Sequence, residues 1–141
     1  MKVGFIGLGN VGGKLAGSLL RNGYDLMVRD LDREVAQPFV DAGARFAESP
    51  RDMAEQCDLV ITCLPSPAAS AAVMEAEDGL LAGFGPGKIW AEMSTTDEAE
   101  VKRPGAKVIA PGASPPACPV SRAFHRAATG NIAILAGCER A

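Results

Sequence analysis

The chain has 141 residues, 48% of them hydrophobic, and a formal net charge of −3. This length predicts one domain, and a negative charge without any basic block argues against nucleic acid or an anionic membrane surface as a partner. We expect no transmembrane helix and no signal peptide, because no apolar stretch reaches about 18 residues and the amino-terminal residues lack a basic segment and a cleavage site.

A glycine-rich motif separates the first predicted strand, residues 3–6, from the first predicted helix. In the spacing G-x-G-x-x-G, the first glycine allows the turn out of the strand and the second lets a pyrophosphate approach the backbone. The third lets the helix pack closely on the strand, and N–H groups at the helix start face the phosphates. The alternative is a glycine-rich turn that binds nothing. The predicted dinucleotide-binding residues are Gly7, Leu8, Gly9, Asn10, Val11 and Gly12.

The residues after this motif complete a strand-helix-strand unit. Apolar positions at helical spacing, 15–16 and 19–20, predict a helix that ends at Asn22-Gly23, and residues 26–28 predict a second strand. Asp30 lies at the end of that strand, where an acid can accept hydrogen bonds from the adenine-ribose hydroxyls and would repel a 2′-phosphate. This favours NAD over NADP, although Arg29 and Arg33 flank Asp30 and keep NADP possible.

The remaining elements continue the alternation of strands and helices. Pro38 is expected to shorten or kink the second helix, and Ser49-Pro50 and Ser66 are helix-start signals. The prediction is an α/β, Rossmann-type, doubly wound and mostly parallel sheet with helices on both faces, as a single domain over residues 1–141. In chain order the elements are a helix over 32–42, a strand at 45–46, a helix from 50, a strand over 59–64, a helix over 66–77 and a strand over 88–93.

The carboxyl-terminal third is less regular in sequence. Ser94 or Thr95 begins a helix whose first turn is acidic, as suits the helix dipole. Residues 104–119 contain five prolines and predict an irregular segment. The other predicted elements are a strand at 108–109, a helix over 123–129 and a strand over 131–136.

The four cysteines predict reduced thiols. They show neither a CxxC pair nor the spacing of metal ligands, so no metal site is expected. Cys63 lies in an apolar run and is expected to be a small buried hydrophobe. Reduced thiols are typical of the cytoplasm, which is the predicted location. The four are Cys57, Cys63, Cys118 and Cys138.

Several ordered blocks of the sequence together resemble the β-hydroxyacid dehydrogenases, the family of 3-hydroxyisobutyrate dehydrogenase, tartronate semialdehyde reductase and, more distantly, 6-phosphogluconate dehydrogenase. The resemblance extends over essentially the whole chain. The blocks are GFIGLGNVG at 4–12, TCLP at 62–65, EMSTT at 92–96, CPVS at 118–121, and GNI at 130–132 with Gly137.

This resemblance implies roles for individual residues. Leu64 and Pro65 would line the cofactor cleft, at the carboxyl end of a parallel strand where ligands sit in such folds. Thr95 would contact the cofactor near the nicotinamide, and Ser94 and Ser121 would contact the substrate. For each of these three hydroxyl residues the alternative is a helix N-cap.

Two departures from the family pattern limit what the resemblance implies. Arg122-Ala123 stands where the family has two glycines, and His125 is assigned no role. The family's catalytic lysine lies on a second, helical domain beyond Ala141, and none of the five lysines here matches it, so no catalytic residue is assigned. The expected function is the NAD(P)-binding domain of a 3-hydroxyisobutyrate dehydrogenase-like oxidoreductase acting on a small 3-hydroxyacid, inactive alone and oligomeric only with the missing domain. The alternative is a non-catalytic dinucleotide-binding or interaction module.

Overall fold

A five-stranded parallel sheet forms the centre of residues 1–94. The structure, a computed structural model, describes residues 1–94 and the strand residues 120–121 and 133–134. The sheet has the order β3-β2-β1-β4-β5, which matches the first five strands of the Rossmann order 3-2-1-4-5-6 and confirms the predicted fold class. Its strands are β1 (Lys2–Ile6), β2 (Asp25–Arg29), β3 (Arg45–Phe46), β4 (Leu59–Thr62) and β5 (Ile89–Glu92).

Five helices connect these strands, and their starts follow local sequence signals. The Ser49 hydroxyl accepts a hydrogen bond of 3.0 Å from the Asp52 N–H, and the Ser66 hydroxyl accepts one of 3.2 Å from the Ala69 N–H. A proline follows each serine, at a position where its missing N–H costs nothing. The helices are α1 (Gly12–Arg21), α2 (Arg33–Asp41), α3 (Pro50–Gln56), α4 (Pro67–Glu75) and α5 (Leu80–Gly83), of which only the short α5 was not predicted.

Helix α2 corrects one expectation. It contains Pro38 and continues to Asp41, so Pro38 does not shorten the helix, and the alternative of a kink stays a prediction. The missing N–H would have bonded the carbonyl of Glu34, and both residues are exposed, so water can solvate that carbonyl. The Asp32 carboxylate stabilises the helix start by accepting the Glu34 N–H at 2.9 Å.

Alternating residues of each strand bury two apolar layers, one on each face of the sheet. Val3 and Phe5 belong to the layer that contains Leu15 and Ala16 of α1. The other layer contains Trp90 of β5 and residues of α3, α4 and α5. Helices therefore cover both faces, as continuous apolar parallel strands require.

The parallel strands end level with one another, and this fixes the place of the candidate site. Ile6 pairs with Arg29 and Thr62, and Thr62 pairs with Glu92. The residues that follow the strands therefore share one edge of the sheet, where open α/β sheets bind ligands.

Two further strands form a separate antiparallel pair, β6 (Val120–Ser121) and β7 (Ala133–Ile134). Strand β7 lies within the predicted strand over 131–136, whereas β6 was not predicted as a strand. The predicted helix after Thr95, the strand at 108–109, the proline-rich segment 104–119 and the helix over 123–129 lie outside the described residues.

Candidate functional site

The three motif glycines lie in three different environments. Gly7 has a φ of +94°, and a Cβ there would lie 2.2 Å from the Cys63 carbonyl oxygen. At Gly12 a Cβ would lie 1.9 Å from the Gly7 carbonyl oxygen, so helix α1 can pack on the strand end only without a side chain. Nothing lies within 4 Å of a Cβ at Gly9, which faces open space. The space that a methyl group at Gly9 would fill is where the motif predicts a pyrophosphate.

The start of α1 has the electrostatics of an anion site. Val11 occupies the N-cap and offers no side-chain oxygen, and the first turn contains no acid. The partial positive charge at this helix end is therefore not offset by a side chain of the helix itself, which suits a phosphate group.

Asp30 lies beside the glycine motif. Its Oδ2 accepts the Leu8 backbone N–H at 2.7 Å, and its Oδ1 accepts the Asp32 N–H at 3.1 Å. These two contacts hold the carboxylate at the end of β2. Each oxygen of an ionised carboxylate accepts about two hydrogen bonds, so both retain capacity for a hydroxyl donor such as a ribose.

Both arginines near Asp30 are held by the segment between β3 and α3. Arg29 Nη1 donates to the carbonyl oxygens of Ala47 at 2.9 Å and Glu48 at 2.6 Å. Arg33 forms a salt bridge of 3.4 Å with the Glu48 carboxylate and lies 4.4 Å from the centroid of the Phe46 ring. Arg29 also lines the cleft, whereas Arg33 does not. Sequence reasoning did not identify Glu48, because its proximity depends on strand pairing.

A cleft of about 920 Å³ joins most of the predicted residues. This volume is in the range of small-molecule sites. Leu8 differs from the rest, since its side chain is buried in the core and only its N–H reaches Asp30. Thr95 lies outside the described residues, and Ser121 is placed in β6. The predicted residues lining the cleft are Gly7, Gly9, Asn10, Val11, Gly12, Asp30, Leu64, Pro65 and Ser94.

The cleft also has walls that sequence reasoning missed. Leu31 is 96% exposed at the Asp30 end, an unusual exposure for a leucine that lines a cavity. One face of α4 forms an apolar wall, and its spacing of i, i+3 and i+4 was visible in the sequence. That face consists of Ala69, Ala72 and Val73, and Ala76 lines the cleft just after the end of α4.

A buried carboxylate organises the other end of the cleft. Glu92 is 2% exposed, and its Oε1 accepts the Ser94 N–H at 2.8 Å and the Ser94 hydroxyl at 2.5 Å. Its Oε2 accepts the Ser70 hydroxyl at 3.1 Å. The Ser94 Oγ in turn accepts the Leu64 N–H at 2.7 Å, which ties β5 to the residue before Pro65.

Cys63 also lines the cleft. Burial, assisted by the nearby Glu92 charge, raises its pKa to about 11. Burial likewise raises the pKa of Cys57 to about 11. Both are free thiols, but only Cys57 is buried. Cys63 is half-buried, so the expectation that it is a buried hydrophobe is wrong, because it follows β4 at the edge of the sheet where the cleft opens. Among the described residues no group of three or more His, Cys, Asp or Glu could hold a metal ion, and no helix is long and apolar enough to cross a membrane.

Comparisons with known proteins agree with this geometry. Residues 2–141 match the family model of the NAD binding domain of 6-phosphogluconate dehydrogenase. Mitochondrial 3-hydroxyisobutyrate dehydrogenase of Rattus norvegicus is 37% identical over 135 residues, or 96% of this chain and 40% of that protein. The cytokine-like nuclear factor N-PAC of Homo sapiens is 30% identical over 99% of this chain and 25% of that protein. The solved structure of Psf3 in complex with NADP+ and 2-OPP has a TM-score of 0.90 at 28% identity, covering 95% of this chain and 48% of Psf3.

The chain thus spans 40% of the rat enzyme and 25% of N-PAC. The family model nevertheless covers almost every residue here, including the glycine motif and the strand ends that build the cleft. The family is one of NAD(P)-dependent hydroxyacid dehydrogenases. The chain belongs to it, as a β-hydroxyacid dehydrogenase NAD-binding domain of the 6-phosphogluconate dehydrogenase type.

Proposed function

We propose that the cleft binds NAD and that this domain is the cofactor-binding part of an oxidoreductase acting on a small 3-hydroxyacid. One observation carries the proposal: a single cleft contains the open Gly9, the start of α1 and the Asp30 carboxylate. These are the sites for the pyrophosphate and the adenine ribose in a dinucleotide fold. The substrate class is taken from the similarity to the rat enzyme.

NAD is the proposed cofactor in preference to NADP. A 2′-phosphate at the ribose would meet the Asp30 carboxylate, while Arg29 and Arg33 are engaged by carbonyl oxygens and by Glu48. The similarity to Psf3, solved with NADP+, keeps NADP as a second cofactor. We therefore propose that the cleft prefers NAD without excluding NADP.

Bound NAD supplies a hydride acceptor for the hydroxyl-bearing carbon of the substrate. The residues of this chain would hold and orient it: Gly9 and α1 at the pyrophosphate, Asp30 at the ribose, and Leu64 and Pro65 at the opposite end. Thr95 near the nicotinamide and Ser121 at the substrate remain proposals from the family resemblance.

The proton-transfer group is not proposed within this chain. Of the described lysines, Lys2 and Lys88 lie at the amino ends of strands, away from the cleft, and Lys14 does not line it. The Lys88 ammonium donates to the carbonyl oxygens of Glu55 and Cys57. We therefore expect the isolated chain to bind cofactor with negligible turnover. A homo-oligomer is proposed only together with a further domain, and a cytoplasmic location also stays a proposal.

Isothermal titration tests the binding step. NADH and NADPH are titrated separately into the chain, and we expect NADH to bind with a micromolar dissociation constant and NADPH more weakly. No heat with either dinucleotide at high protein concentration would overturn the proposal. Tighter binding of NADPH would leave the site in place and reverse only the preference.

The similarity to N-PAC favours a second candidate, a non-catalytic dinucleotide-binding or interaction module. N-PAC is named as a nuclear factor and not as a dehydrogenase. Turnover separates the two candidates. The chain is mixed with a 3-hydroxyacid dehydrogenase from which the cofactor-binding domain has been removed. NADH formation from NAD with a panel of 3-hydroxyacids supports the oxidoreductase candidate. NADH binding without any turnover in that mixture supports the module.

A further inference from the structure

The hydrogen-bond directions around Ser94 are fixed by the buried carboxylate of Glu92. The hydroxyls of Ser94 and Ser70 both donate to this carboxylate, Ser94 to Oε1 and Ser70 to Oε2. The Ser94 proton is therefore committed to Glu92 Oε1. The Ser94 N–H donates to the same oxygen, so side chain and backbone of Ser94 are held together.

What Ser94 can still offer is a lone pair. A hydroxyl has one proton and two lone pairs, and the Leu64 N–H already uses one lone pair. Ser94 is 5% exposed and lines the cleft. Its remaining hydrogen-bonding capacity is that of an acceptor, and a ligand donor in the cleft would match it.

The position of Ser94 indicates which part of a dinucleotide would reach it. In the sheet order, β1 lies between β2, which is followed by Asp30, and β4-β5, which end beside Leu64 and Ser94. A dinucleotide with its adenosine ribose at Asp30 and its pyrophosphate at the glycine motif extends its other nucleoside toward β4 and β5. The ring substituent of that nucleoside is a carboxamide, whose NH2 group is a donor.

We propose that Glu92 orients Ser94 so that Ser94 Oγ accepts a hydrogen bond from the carboxamide NH2 of the nicotinamide. Glu92 is then a positioning residue, and Ser94 selects dinucleotides that carry an NH2 group on the ring substituent. The inference rests on the proposed NAD binding. The family resemblance implies a substrate contact for Ser94, whereas the partner proposed here is the cofactor.

Two cofactor analogues test the proposal without any mutation. The reduced acetylpyridine analogue of NADH replaces the NH2 group by a methyl group and stays neutral. The reduced thionicotinamide analogue keeps the NH2 group and replaces the carbonyl oxygen by sulfur. We expect the acetylpyridine analogue to bind about fivefold or more weakly than NADH, because a buried acceptor loses its donor, and the thionicotinamide analogue to bind within about twofold. Equal affinity for NADH and the acetylpyridine analogue, or an equal loss with both analogues, overturns the proposal.

Two serine variants then assign the effect to Ser94. Ser94→Ala removes the acceptor, so the preference for NADH over the acetylpyridine analogue should fall to less than about twofold. Ser70→Ala is the matched control, because Ser70 bonds the other oxygen of Glu92 and does not line the cleft. It should keep the preference. A Ser94→Ala protein that retains the full preference contradicts the proposal, and the thermal unfolding transition of each variant shows that it is folded. If NADH itself fails to bind the wild-type chain, the proposed function fails instead.

Discussion

The backbone N–H of Leu8 donates a hydrogen bond of 2.7 Å to Asp30 Oδ2, across 22 residues of sequence. This contact joins the glycine motif after β1 to the acid after β2. It places the carboxylate beside the start of α1, where a ribose attached to a bound pyrophosphate would lie. The candidate adenosine end of the site therefore depends on the pairing of two adjacent strands.

Asp30→Asn should weaken NADH binding and shift the preference toward NADPH. The asparagine oxygen can still accept the Leu8 N–H, but the charge that bonds ribose hydroxyls and repels a 2′-phosphate is lost. We expect the NADH dissociation constant to rise about tenfold, and the NADPH-to-NADH ratio of dissociation constants to fall by a similar factor. Titration calorimetry measures both. Asp32→Asn is the control, because Asp32 caps α2 and asparagine caps equally well. An unchanged ratio in Asp30→Asn would contradict the assigned role.

Glu48→Gln should improve NADPH binding alone. The substitution releases Arg33 from an exposed salt bridge and removes a negative charge near the ribose end. Exposed pairs are worth less than about 1 kcal/mol, so the NADPH dissociation constant should fall about two- to fivefold at low salt and less at high salt. Glu55→Gln is the control, since it breaks the exposed Arg51–Glu55 pair on α3. The same gain in both variants would show that net charge, and not Arg33, is responsible.

Gly9→Ala and Gly12→Ala should separate cofactor binding from stability. A methyl group at Gly9 meets no protein atom within 4 Å, so the free energy of unfolding should change by less than about 0.5 kcal/mol while NADH binding is lost. A methyl group at Gly12 collides with the Gly7 carbonyl, so we expect about 3 kcal/mol of destabilisation. Urea unfolding and NADH titration measure the two effects. Full NADH affinity in Gly9→Ala would exclude the pyrophosphate position.

Cys63 should react slowly with iodoacetamide at neutral pH. Burial raises its thiol pKa to about 11, and only the thiolate reacts. In the folded chain the Cys63 thiol therefore stays protonated at pH values above the thiol pKa of the unfolded chain. Any stability that this thiol contributes is present below the unfolded pKa and is lost as the pH rises through about 11.

The measurement is the rate at which Cys63 is alkylated in the folded protein. Mass spectrometry quantifies the modified peptide that contains Cys63 over time. The rate should keep rising about tenfold per pH unit between pH 8 and pH 10, whereas that of free cysteine levels off near its own pKa. Saturating NADH should slow the reaction, because Cys63 lines the cleft. A rate that levels off near pH 9, as for an ordinary thiol, would show that the thiol is solvated.

Most of the fold could be predicted from the sequence because its signals are local. Ser49-Pro50 and Ser66 act on N–H groups three residues away, and Gly23 and Gly43 adopt positive φ after α1 and α2. The outcome at Pro38 could not be predicted, because it depends on the exposure of the carbonyl that loses its partner. Helix α5 spans four residues, Leu80–Gly83, which is too short for an apolar period to be visible.

The sequence by itself determined the dinucleotide motif, the acid at Asp30 and the alternation of strands and helices, because each depends on residues adjacent along the chain. Only the tertiary structure decided which hydrogen bonds the site residues make. Arg29 donates to the carbonyls of Ala47 and Glu48. The Ser94 hydroxyl donates to Glu92 and accepts the Leu64 N–H, which lies 30 residues away in sequence. The direction of a hydrogen bond depends on which partners a buried group finds in space, and strand order brings those partners together.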